Sequence, residues 1–235
     1  MLRRLFLPLL ALALPALLAA EQCVVIGDSL TKEYEVEFPA LFPQNPESWD
    51  SRNWIEILHQ RRTGWFDTGP FAHNNDPRLV GHEYNWAFPG ATAVEIKNQL
   101  NNPFNFWWTD KIKNHLKNTA ERVVIFAGGN DVDSYYANIY NGAAPAAYTN
   151  ATRDSLHWIV DFVRSQKSTL PIVLVAVPHL GCAPDIQLQC PTDPVKTARV
   201  TAALDALNSQ LAAFAQSRGI AFAPGVYDLT KQMID

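Results

Sequence analysis

Clustered metal ligands are missing from this chain. Its three cysteines and six histidines are scattered through 235 residues, with no His-x-x-x-His and no Cys-x-x-Cys spacing. A zinc site draws its ligands from such clusters, so no metal is expected, and nothing in the sequence calls for an organic cofactor. A basic excess is missing as well. With the first twenty residues set aside, 17 basic and 23 acidic side chains remain, a formal charge of −6. That balance argues against nucleic acid and against anionic membrane surfaces as partners. Repeats, linkers and a second domain are also absent, and a monomer is expected.

What is present begins with MLRRLFLPLLALALPALLAA. Arg3 and Arg4 give a basic start, an apolar run follows, and Ala19 and Ala20 give a small-residue end. Residues 1–20 therefore read as a secretory signal peptide. As a membrane anchor the run is too short, holds two prolines and stops at Glu21. The expected location is secreted or periplasmic, with residues 21–235 as a single domain. The 48% hydrophobic content lets that domain bury its own core. In an exported chain Cys182 and Cys190, close together in GCAPDIQLQC, are expected to form a disulfide. Cys23 opens an apolar run and reads as a buried, unreactive thiol.

Short apolar runs recur at 22–27, 122–128, 171–177 and 219–224, with a further strand expected at 83–90. Helical stretches lie between them. The clearest follows Asp193 and Pro194, where Val200, Leu204, Leu207, Leu211 and Phe214 recur at helical spacing until Gly219. Weaker helices are expected at about 52–60 and after Ala93. Runs apolar throughout suit strands covered on both faces. The alternation implies a three-layer α/β/α sandwich with a mainly parallel, flavodoxin-like sheet, its functional loops gathered at the carboxyl ends of the strands.

Three such loops carry chemistry. The first is Gly27-Asp28-Ser29-Leu30. The second runs from Asn85 to Gly90, and its glycine lets a backbone N–H approach a ligand. The third is Gly128-Gly129-Asn130-Asp131. Acyl transfer needs a nucleophile and donors aimed at the oxyanion of the tetrahedral intermediate. Ser29 Oγ supplies the first; the N–H groups of Ser29 and Gly90 and the Asn130 amide supply the second. Asp28, Asn85 and Asp131 stand beside them as supporting polar residues. A Gly-x-Ser-x-Gly elbow is excluded, because Thr31 stands two positions after Ser29.

These segments resemble the GDSL or SGNH hydrolases, named for a Ser, a Gly, an Asn and a His in four blocks. Three blocks occur here in order, each at the end of an expected strand, and VPHLGCAP at 177–184 is similar to the segment after the fourth strand of lipase-like members. The resemblance spans most of residues 22–228. It implies an exported serine ester hydrolase that acts on lipid, lysophospholipid or acylated sugar esters through an acyl-enzyme on Ser29.

The resemblance also implies a fourth block, Asp-x-x-His, after the last strand, supplying the general base. The sequence reaches Asp235 without it, so the domain is expected to be incomplete at its C-terminus, its base lying downstream. Asp154 and His157 do show the spacing. However, Leu156, Ile159, Val160 and Val163 define that helix's buried face, which turns the pair outward, and the helix carries His157 about 10 Å from the catalytic edge. The pair is expected to be a decoy. His59, His73, His82, His115 and His179 are expected at the surface or in loops, with His73 and His82 flanking an uncertain loop. PFNFWWTD, 103–110, is read as packing before ligand binding. Asn150-Ala151-Thr152 is a glycosylation sequon only in a eukaryotic host. Two rivals remain: a noncatalytic lipid- or glycan-binding protein that has lost its base, and a transacylase on the same fold.

Overall fold

The computed structural model describes residues 21–34, 44, 50–74, 76, 78, 80–191 and 193–234. The expected signal peptide, residues 1–20, lies outside the described residues.

The central sheet has five described strands, β1 (Cys23–Gly27), β4 (Asn85–Ala87), β5 (Arg122–Phe126), β6 (Ile172–Val175) and β7 (Ala221–Ala223). Their spatial order is β4-β1-β5-β6-β7 and every pairing is parallel. Counted along the chain this is the 2-1-3-4-5 order of a flavodoxin-like sheet, with its switch point between β1 and β5. Each expected strand is present, trimmed at its ends. A short antiparallel hairpin, β2 (Phe71–His73) with β3 (Val80–His82), was not legible in the sequence.

Alternate residues of β1 and β5 feed two cores, as a period of two requires. Val24, Ile26, Val123 and Ile125 join the larger one beneath helices α2 (Ala93–Leu100), α3 (Phe106–Asn114), α4 (Gly129–Tyr140), α5 (Ala146–Gln166) and α7 (Pro194–Arg218). Cys23, Val25 and Val124 join the smaller one, with Ile55 and Phe66, beneath α1 (Trp54–Arg61). Burial pushes the Cys23 thiol up to about 12, in keeping with an inert side chain. The two remaining helices, α6 (Pro184–Gln189) and α8 (Gly225–Gln232), follow β6 and β7.

Local signals agree with these elements. Asp193 caps α7 through the N–H groups of Val195 and Lys196, Pro194 opens it, and Gly219 closes it at φ +62°. Asn53 with Glu56, and Thr92 with Glu95, form capping boxes at the starts of α1 and α2.

The expected Cys182–Cys190 bridge is not formed, and all three cysteines are free thiols. Helix α6 lies between the two, and at 1.5 Å per residue its six residues span about 9 Å, beyond the roughly 4.4–6.8 Å that bridged Cα atoms keep. The Cys182 thiol instead donates to the carbonyl of His179 at 3.5 Å, while Cys190 is buried in the core. Among the described residues no helix is long and apolar enough to cross a membrane.

Candidate active site

Parallel register brings three strand ends level. Gly27, the last residue of β1, pairs with Ala87 of β4 on one side and Phe126 of β5 on the other. The three predicted loops therefore leave the same edge at adjoining strands.

The turn after β1 is tightly wired. Thr31 N donates to Asp28 O at 3.0 Å and Lys32 N to Ser29 O at 3.2 Å. The Asp28 carboxylate accepts from Leu30 N at 3.0 Å and, across the gap to the β5 loop, from Gly129 N at 3.3 Å. It is 1% exposed. Burial pushes its pKa up to about 6 against the pull of those N–H groups, and the nearby Asp131 adds to the rise. Asn85 braces the same turn, its Nδ2 donating to Thr31 O at 2.9 Å. Ser29 itself is half-buried. Among the described residues no acceptor takes its N–H and no group hydrogen-bonds its Oγ.

The second loop is pinned by Phe88 N, which donates to Gly27 O at 2.9 Å. Gly90 then turns with φ +76°, a left-handed conformation that disfavours any side chain. Its N–H also has no described acceptor. Of the third predicted loop Gly129, Asn130 and Asp131 form the first turn of α4, from which Asn130 Nδ2 donates to Ala91 O at 3.0 Å, occupying one of the two amide hydrogens. The arrangement thus brings together three donors with unspent capacity, those of Ser29, Gly90 and Asn130, at one sheet edge beside a serine hydroxyl. Such a set suits the stabilisation of a developing oxyanion.

No histidine joins Ser29 in this arrangement. His157 stacks on Phe214 with ring centroids 3.7 Å apart, and Asp154 is engaged by Arg153 at 2.7 Å. Asp154 is exposed on α5, whereas His157 is half-buried between α5 and α7, its Nε2 shielded from solvent. His157→Ala is accordingly expected to leave ester turnover unchanged and to cost about 1 kcal/mol of stability through the lost stacking. Parallel activity assays and thermal melts check both; a loss of turnover would make His157 the base.

The expectation of surface or loop histidines fails for His82, on β3, and His115, in a helical turn, which are 7% and 5% exposed; His179 lies in a loop as expected but is buried there, at 0%. Each ring finds polar partners inside. His82 Nδ1 meets Gly69 O at 2.7 Å. His115 Nδ1 accepts from the Trp86 indole at 3.3 Å, so its Nε2 carries the proton and faces Glu83 at 3.5 Å. Burial holds its pKa down at about 4, and the ring is neutral. His179 Nδ1 accepts from Gly181 N while Nε2 faces Thr201 Oγ1 at 3.0 Å. His73 is exposed on β2 and His59 half-buried. Among the described residues no group of three His, Cys, Asp or Glu side chains is placed to hold a metal.

Sequence reasoning missed the support under the Gly90 loop. Asp76 and Arg78 form an ion pair with both side chains fully buried. The Arg78 guanidinium lies 3.6 Å from the Trp86 ring centroid and donates to Asn85 O at 3.2 Å. This braces the outer side of β4, an edge strand whose carbonyls would otherwise stand open. The aromatic segment 103–110 divides: Trp108 is buried against Trp86 and Phe88, whereas Phe104 and Trp107 are exposed. A cavity of about 530 Å³ lined by Tyr136, Gly181, Thr201 and Asp205 includes none of the three loops and lies apart from the site.

The sequence model of the GDSL-like Lipase/Acylhydrolase family matches residues 25–233. No curated protein matches the chain. Among solved structures, an extracellular lipase from Streptomyces rimosus is 19% identical, with 86% of this chain and 79% of that one covered at a TM-score of 0.50. A phospholipase A1 from Streptomyces albidoflavus is 17% identical over 87% and 79%, at a TM-score of 0.48. A candidate acylhydrolase from Bacteroides fragilis is 17% identical over 86% of this chain and 66% of its own length, at a TM-score of 0.41. The chain thus spans just under two thirds of that relative.

Proposed function

The chain belongs to the GDSL-like lipase/acylhydrolase family, and from that premise we propose a secreted serine ester hydrolase in which Ser29 is the nucleophile. Ser29 Oγ attacks the ester carbonyl, the oxyanion is received by Ser29 N–H, Gly90 N–H and the Asn130 amide, and the C–O bond to the alkoxide breaks as the Ser29 hydroxyl proton passes to it, so that the alcohol departs. Water then releases the acyl group from Ser29. The observation that carries this reading is the unspent donor capacity at Ser29, Gly90 and Asn130, in loops leaving adjoining strands in register. An apolar acyl group is supported by a cavity of about 220 Å³ at the carboxyl ends of β5 and β6, lined by Trp54, Phe126, Val175 and Val226.

Asn130→Ala tests the assignment. It is expected to lower kcat by about 10² to 10³ with KM nearly unchanged, since the amide acts on charge that develops only in the transition state. An effect confined to KM would make Asn130 a ground-state binding residue.

One observation favours the second reading, a noncatalytic binder of lipid or glycan: no histidine among the described residues is engaged with Ser29. Covalent labelling by an organophosphonate separates the two. A hydrolase is labelled at Ser29, and a binder that has lost its base is not.

A further inference from the structure

Asn130 and Asp131 are neighbours, yet both reach back to one three-residue stretch of the Gly90 loop. Asn130 Nδ2 donates to Ala91 O at 3.0 Å, and Asp131 Oδ2 accepts from Ala93 N at 2.6 Å. The second oxygen of Asp131 accepts from Thr152 Oγ1 of α5 at 3.0 Å. Asp131 and Thr152 are 4% and 1% exposed. Ala93 opens α2, where N–H groups have no acceptor within the helix. Thr92 already caps that helix through Glu95 N, so Asp131 comes from a different element to satisfy another of those donors. A carboxylate is also the charge that a helix N-terminus favours.

We infer that Asp131 is a positioning residue of the oxyanion hole: with Asn130 it clamps Ala91–Ala93 and sets the distance between the Gly90 N–H and the Asn130 amide. The inference rests on the reading of Gly90 and Asn130 as oxyanion donors. No side chain packs over the open side of Gly90. It is exposed, and a β-carbon built there would meet nothing within 4 Å. Its place is set by the turn bond that closes across it, from Ala91 N to Phe88 O at 3.1 Å, and by what anchors that turn, the bond from Phe88 N to Gly27 O before it and the clamp after it. An oxyanion donor displaced by a fraction of an ångström loses much of its effect. The clamp needs a group at position 131 that accepts from Ala93 N and engages the Thr152 hydroxyl together. A carboxylate does both. An amide does so more weakly, with Thr152 then accepting, and a methyl does neither.

The test is binding of phenylboronic acid to the whole chain, followed by calorimetry. Boron takes the Ser29 oxygen, the hydroxyl proton passes to solvent, and the tetrahedral anion occupies the oxyanion position. Asp131→Ala is expected to weaken this binding about tenfold and Asp131→Asn no more than about threefold, the scale of one or two hydrogen bonds. Amide hydrogen exchange at Ala93 should accelerate in Asp131→Ala and stay slow in Asp131→Asn. Equal boronate affinity in wild type and Asp131→Ala overturns the inference, as does an Asn variant as weak as the Ala variant. If wild type and Ser29→Ala bind the boronate alike, the nucleophile assignment fails. The clamp is then judged by Ala93 exchange alone, and exchange unchanged in Asp131→Ala overturns it. Should Asp131→Ala fail to fold, Thr152→Val takes its place with about a threefold loss expected and no loss counting against the clamp.

Discussion

In a form of the protein that carries its general base and turns over esters, Ser29→Ala is expected to abolish ester turnover and phosphonate labelling while the melting temperature stays at its wild-type value. The two halves of this result have separate causes. Loss of the nucleophile removes nearly everything that a catalytic set contributes, on the order of 10⁶ in kcat where such sets have been dissected, because the remaining groups act only through it. Stability is spared because Ser29 Oγ has no hydrogen-bond partner among the described residues and the side chain is only half-buried. The turn is held instead by Asp28, by Asn85 and by backbone bonds, all of which an alanine keeps. Nitrophenyl ester hydrolysis and a thermal melt, run on the same preparation, check both halves. Wild-type turnover in a folded Ser29→Ala variant would remove Ser29 from the mechanism.

Two positions earlier the opposite result is expected. Gly27→Ala should cost about 3 kcal/mol, a fall of roughly 6–12 °C in melting temperature for a domain of this size. A β-carbon on Gly27 would stand 2.4 Å from the Phe126 carbonyl and 2.4 Å from Thr31 Oγ1. The first contact is with backbone in the middle of the sheet, and no rotamer change relieves it. Thr31 Oγ1 is meanwhile committed to that same Phe126 carbonyl at 3.3 Å. Either β1 separates from β5 or the turn carrying Asp28 and Ser29 lifts, so activity falls together with stability. Urea denaturation reads the first effect and ester hydrolysis the second. A variant within 0.5 kcal/mol of wild type would mean that the strand end is less crowded than these distances require.

Gly27 shows why part of the site was legible in advance. The Gly-Asp-Ser-Leu tetrapeptide, the Asn85–Gly90 segment and the Gly-Gly-Asn-Asp run each sit where an apolar run stops, and an all-parallel sheet sends such ends to one edge. The helix of His157 was legible for a similar reason. Leu156, Ile159, Val160 and Val163 are all fully buried, and their spacing turns Asp154 outward and places His157 at the helix flank, where Phe214 covers it. Periodicity reports which face of an element is covered, and in both cases that was the question.

Local pattern failed where the deciding partner was distant in the chain. Nothing around His115 or His179 in sequence announces a Trp86 indole or a Thr201 hydroxyl. Arg78 looks like an ordinary surface residue until Asp76 and the Trp86 ring enclose it. The Cys182–Cys190 expectation erred in the same way, because closeness along the chain does not reveal that α6 stands between the two thiols. Asp131 was recognisable only as a polar residue beside Asn130; its work on Ala93 and Thr152 spans 38 and 21 positions.

The sequence by itself determined the order of the five parallel strands, four of the helices, the three segments that carry chemistry and the identity of the nucleophile candidate. Those follow from periodicity, caps and glycine positions, which are properties of short segments. Only the tertiary structure decided which donors remain unspent, which histidines are sealed inside, and how the Gly90 loop is fastened to Asn130 and Asp131. A hydrogen bond is satisfied by whichever group the fold brings within about 3 Å, and a one-dimensional pattern holds no record of that distance.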